Sequence, residues 1–89
     1  MSEASNVWRV SPDGTEHDIE VDHNTMTGKF LVTLDGSTVG EGRMLMRRQS
    51  RDFEVDGHPA RVALAFKYGG FAAESTLHLD DRFVEPLRR

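Results

Sequence analysis

The sequence predicts an all-β protein, an antiparallel β-sandwich of about eight strands joined mainly by hairpins. Three observations carry that expectation. Asp13-Gly14, Asp35-Gly36 and Asp56-Gly57, continued by Asp80-Asp81, punctuate the chain at regular intervals, and other turn-forming clusters fall between them. Asp-Gly suits tight hairpins because a type I′ turn needs positive φ at both central residues. Between the turns, apolar and polar side chains alternate with the period of two that puts one strand face in a core and the other in water. The chain has 89 residues, enough for one thin core, and a long twisted sheet must cover its apolar face, so two packed sheets are expected rather than one.

In the first segment Trp8 and Val10 share a face. In the second, His17, Ile19, Val21 and His23 share one face while Glu16, Asp18, Glu20 and Asp22 share the other. Phe30, Val32 and Leu34 form the inward set of the third, with Leu31 opposite. The fourth, Thr38 to Met46, alternates least clearly, and its Gly40 and Gly42 point to a bulge or a close backbone approach. Phe53 and Val55 mark the fifth segment, and Ala60, Val62, Leu64 and Phe66 the sixth. Pro59 and the alanines leave a helix as the competitor from Ala60 to Lys67. The run is short and its large residues alternate, so a strand is expected. Phe71, Ala73, Ser75, Leu77 and Leu79 share a face of the seventh segment, and Phe83 and Leu87 of a short eighth, where Pro86 suits an edge. Residues 1–6 read as a flexible leading segment and 7–89 as a single domain.

Composition narrows the function. Eleven Lys and Arg against fifteen Asp and Glu give a net charge of −4, the wrong sign for a general nucleic-acid binder. With no cysteine, disulfides, thiolate catalysis and thiolate metal centres are excluded. No apolar run approaches the roughly 20 residues of a membrane span, and the first six residues lack the marks of a secretory signal. A cytoplasmic protein with no membrane or nucleic-acid partner is expected.

Candidate chemistry is sparse. His17, Asp18, Glu20, Asp22 and His23 are the densest set of possible metal ligands. Alternation sends the histidines one way and the carboxylates the other, so they read as a solvated outer face, with a weak cation site as the alternative. His58, next to Pro59, reads as a turn residue and His78 as outward-facing. No serine sits in a nucleophile elbow, and no glycine run is followed by the Lys-Ser/Thr of a phosphate-binding loop. No catalytic residue, metal or cofactor is therefore expected. The basic stretch is the candidate site: Arg43, Arg47, Arg48 and Arg51, with Met44 and Met46 beside them. Arginine forks pair with carboxylates, and methionines give an adaptable apolar surface, a combination suited to an acidic partner peptide. The same charges would also discourage edge-to-edge aggregation of an exposed hairpin. The aromatics Trp8, Phe30, Phe53, Phe66 and Phe71 read as core, with a partner-facing Trp8 as the alternative.

Three stretches resemble the Fas apoptotic inhibitory molecule family. In the first, Trp8, Ser11, Asp13-Gly14, His17, Ile19-Glu20, His23, Thr25, Gly28-Lys29 and Asp35-Gly36 follow that family's opening pattern in order and spacing. The second surrounds Met44, Phe53 and Val55, and the third is Gly70-Phe71-Ala72 with Glu74, Thr76-Leu77 and Leu79. The resemblance implies an all-β fold, two compact β subdomains in longer members of which this chain is similar to the amino-terminal one, and an interaction or protein-quality role without catalytic residues. The expected function is thus a non-catalytic module binding a protein partner, itself a monomer or weak homodimer. The alternative is a small-molecule or carbohydrate binder using a cleft between the sheets.

Overall fold

A computed structural model of the chain describes residues 3–24, 27–43, 48–67 and 72–87. Eight strands form: β1 (Glu3–Val10), β2 (His17–Asn24), β3 (Lys29–Leu34), β4 (Ser37–Arg43), β5 (Arg48–Val55), β6 (His58–Lys67), β7 (Ala72–Leu79) and β8 (Arg82–Val84). They make two antiparallel sheets in chain order, β1-β2-β3-β4 and β5-β6-β7-β8. Ala60 to Lys67 lies within β6, so the alternating large residues prevail over the helix-favouring alanines. The ladder begins at Glu3, which pairs with Asn24, inside the segment read as a flexible lead.

The turns follow their sequences. Asp35-Gly36, Asp56-Gly57 and Asp80-Asp81 have both central residues at positive φ, 51° and 87°, 52° and 81°, and 53° and 63°, as type I′ hairpins require. Asp13-Gly14 departs from the expected tight hairpin. There only Gly14 has positive φ, and its N–H donates to Ser11 O across 3.3 Å. Ser11-Pro12-Asp13-Gly14 has the signature of a type I turn, proline second and glycine fourth, and it sits in a longer loop between β1 and β2.

The core lies between the sheets. Trp8, Ile19, Val32, Val55, Val62 and Leu77 are fully buried, and Val10, Val21, Phe30, Ala60 and Leu64 nearly so, with Leu34, Val39, Phe53, Leu79 and Val84 packed around them. Trp8 is therefore core rather than partner-facing. The last strand turns its valine inward. Val84 packs on the core while Phe83 is 57% exposed. Phe83 lies opposite His78 in the ladder and meets its ring edge-on at 5.8 Å. A two-residue turn leads from Leu79 to Arg82, which sets Val84 opposite the buried Leu77. Tyr68 to Phe71 and the side chains of Phe66 and Ala73 lie outside what the structure describes.

The two sheets are versions of one unit. Val10 pairs with His17 as Val55 pairs with His58. Ile19 and Val21 pair with Leu34 and Val32 as Ala60 and Val62 pair with Leu79 and Leu77. Outside the ladders, Asp35 N–H donates to Asp18 O at 2.8 Å, and Asp80 N–H to Pro59 O at 2.9 Å. The halves are related by a pseudo-twofold that places the β1–β2, β3–β4, β5–β6 and β7–β8 turns at one end.

Candidate functional site

The basic stretch divides on folding. Arg43 ends β4 and Arg48 begins β5, and both are exposed. Lys29 lies opposite Arg43 in the β3–β4 ladder, and none of the three forms an ion pair among the described residues. Met44, Met46 and Arg47 fall in the connection that lies outside the described residues. Arg51 has a different task. Its guanidinium carbon sits 5.0 Å from the centre of the Phe30 ring, Nε donates to Glu41 O at 3.3 Å, and Nη1 donates to Ser50 O at 2.8 Å. Gln49 Nε2 donates to Arg43 O at 2.6 Å. Side chains of β5 thus take up carbonyls on the otherwise open edge of β4, closing one seam of the sandwich. On the opposite seam Asn6 Nδ2 donates to Ser75 Oγ at 2.9 Å, and Leu87 N–H to Val7 O at 2.8 Å.

Gly40 and Gly42 make room for Arg51. A Cβ on Gly40 would stand 3.2 Å from the Cβ and Cγ of Arg51, and one on Gly42 would stand 3.0 Å from the Phe30 ring. The ladder also slips between Val32 and Thr33, so bulge and close approach both occur in β4. Gly42→Ala is expected to cost about 1–3 kcal/mol of stability by overpacking. Pairing it with Arg51→Ala should cost less than the sum of the two, because the side chain displaced by the first change is already gone in the second. Urea denaturation of the double-mutant cycle reads this directly.

The turn end carries the densest polar contacts. His17, at the start of β2, has Nδ1 2.6 Å from Asp35 Oδ2 and Nε2 2.8 Å from Asp56 Oδ2. His58, at the start of β6, has Nδ1 2.8 Å from Asp80 Oδ2 and Nε2 3.0 Å from Asp13 Oδ1. Each ring therefore bridges the turn of its own sheet and a turn of the other. Hydrogen bonds to Asp35 and then Asp56 raise the His17 pKa above the ordinary imidazole value, and bonds to Asp13 and Asp80 do so for His58. His17 and then the backbone N–H of Asp18, donating at 2.8 Å, hold Asp35 below the usual carboxylate range. Bidentate arginines do the same for Asp18, through Arg9, and for Asp52, through Arg61. His23 is buried in the core and burial lowers its pKa.

Composition and spacing did not bring these residues together. His17 shares the core-facing parity of β2, as expected, yet its ring reaches the turns at the end of the sandwich. His58 is no ordinary turn residue. The legible sign was that both histidines open a strand just after an Asp-Gly turn, with an aspartate turn again one hairpin later. Asp18, Glu20 and Asp22 do share the outer face of β2, and among the described residues no group of three His, Asp or Glu side chains is placed to hold a metal ion.

A family model described as Fas apoptotic inhibitory molecule (FAIM1) matches residues 4–86. The chain belongs to that family. No curated protein matches it. In this family member the matched span takes in both sheets, both histidine bridges and the Arg51 seam. Among the described residues, core side chains from both sheets pack together between them. Two open grooves, of about 590 Å³ beside Leu31 and about 660 Å³ beside Ala63, lie on the outer faces. Among the described residues no helix is long and apolar enough to cross a membrane.

Proposed function

We propose that this member of the Fas apoptotic inhibitory molecule family is a non-catalytic module that binds an acidic segment of a protein partner. The contact surface is the cationic rim of Lys29, Arg43 and Arg48, joined in sequence by Met44, Met46 and Arg47. The observation that supports it most is the exposure of Arg43 and Arg48 at the facing ends of β4 and β5, with no carboxylate partner among the described residues. Exposed arginines without intramolecular partners can give both hydrogen bonds of the fork to an incoming carboxylate. Arg51 is withdrawn from the surface, since it is spent on Phe30 and the β4 carbonyls. The non-catalytic reading has its own support. Both nitrogens of His17 and of His58 are already engaged, which leaves neither ring placed to take a proton from a nucleophile.

Reversing charge at Arg43, Arg47 and Arg48 to Glu tests the surface without touching the seam. Immobilised protein should capture a polyglutamate-rich peptide in a salt-sensitive way, and the triple variant should lose that capture while keeping the parent's urea midpoint. Capture that survives the triple change, at unchanged salt dependence, rejects the rim as the contact surface.

A further inference from the structure

The spacing at the two histidines fixes what lies between the atoms. A neutral imidazole has one N–H and one lone pair, so it can donate from only one nitrogen. Both nitrogens of His17, and both of His58, lie 2.6–3.0 Å from a carboxylate oxygen. In the neutral state one contact on each ring would set lone pair against lone pair. A metal ion does not fit either, because bonds of about 2.0–2.2 Å to each ligand at a tetrahedral angle hold nitrogen and oxygen more than about 3 Å apart. With each ring as imidazolium, all four contacts are hydrogen bonds.

We propose that the turn end is a proton-operated latch between the two sheets, built twice by the pseudo-twofold. On both rings Nδ1 binds the aspartate of the ring's own sheet, Asp35 or Asp80, and does so at the shorter distance. On both rings Nε2 reaches the other sheet, to Asp56 or Asp13. When a ring loses one proton, the remaining N–H stays on the shorter Nδ1 contact and the cross-sheet donor is withdrawn. The freed carboxylate then faces a lone pair, and the charge of the clamp goes from −1 to −2. The charged groups facing His17 are Asp35 and Asp56, with Asp18 alongside and neutralised by Arg9; those facing His58 are Asp80 and Asp13, with Asp81 beyond and acting on Arg61. Among the described residues no cation faces either ring to oppose protonation.

The direction of the pH dependence follows. Both rings hold their protons more tightly folded than unfolded, so the latch contributes fully below the ordinary histidine range. Its contribution is lost as pH rises through the raised folded-state values. At the acid end, Asp35 gives a second limb, lost as pH falls through its lowered value.

Ring ¹⁵N shifts of the intact protein test the latch. Near pH 7, His17 and His58 should show both nitrogens protonated, while the buried His23 does not. An unprotonated nitrogen on either His17 or His58 at that pH overturns the proposal. Asp13→Asn with Asp56→Asn supplies the second readout. Asn tolerates the left-handed backbone of Asp56 and can donate to or accept from Nε2, so the link persists without the extra proton. The parent's urea midpoint should fall as pH rises above the ordinary histidine range, and the double variant should show a shallower fall, because Asp35 and Asp80 still favour the charged rings. A variant that keeps the parent's full slope overturns the latch, and if it does not fold the ring shifts of the parent decide.

Discussion

Trp8→Ala should lower the unfolding free energy by about 3–5 kcal/mol, whereas Trp8→Phe should cost far less. Trp8 is fully buried, opposite Ile19 in the β1–β2 ladder and inside a core that spans both sheets. Truncation to alanine removes the largest core side chain and leaves a cavity that two hydrogen-bonded sheets cannot close by moving together. At about 0.05–0.15 kcal/mol per residue, a domain of this size has only some 4–13 kcal/mol in total, so the alanine variant stands near the unfolding threshold. Phenylalanine behaves differently for a polar reason. Trp8 Nε1 is buried with no hydrogen-bond partner among the described residues, and such a donor costs about 1–3 kcal/mol in the folded state. Phe removes that penalty along with part of the area, and the two effects oppose each other. Urea midpoints of the three proteins at equal m-value decide it. A Phe variant as unstable as the Ala variant would mean that the indole N–H contributes to folding rather than detracting from it.

The architecture was legible because local rules act on residues close in sequence. Type I′ chemistry at Asp35-Gly36 and Asp56-Gly57 and the alternation His17-Ile19-Val21-His23 each depend on neighbours, and both sheets follow from them. Even Gly40 and Gly42 announced a close approach, although not what approached. The site was less legible, because each of its parts joins residues far apart in the chain. Arg51 looked like one more surface arginine, since its reach over Gly42 to Phe30 depends on how β5 of one sheet meets β4 of the other. His17 and His58 looked unrelated because the pseudo-twofold is carried by register and turn position, while the side chains of the halves have diverged. The inward place of Val84 in β8 was not legible for a smaller reason: one residue of turn length sets the parity of every side chain that follows.

That divergence sets the second large effect. Leu77→Ala should cost about 2–5 kcal/mol, and Leu77→Val about 1 kcal/mol. Leu77 is fully buried between Val62 and Val84 on the neighbouring strands of its sheet. Its counterpart in the other half is Val32, which pairs with Val21 and with Gly40 at the bulge. The halves share a register but not all of their core residues. Ile19 and Phe30 correspond to Ala60 and Ser75, while Val32 and His23 correspond to the larger Leu77 and Leu64. The two halves therefore fill one close-packed core with different residues at these positions, while Val21 and Val62, and Leu34 and Leu79, are the same in both. Cutting Leu77 to alanine leaves a void beside Val62 and Val84, which the ladders of their own strands hold in place. The valine variant gives both halves the same residue and loses little more than one methylene. If Leu77→Val instead proves as costly as Leu77→Ala, the core depends on the side-chain shape at position 77 and not on its volume.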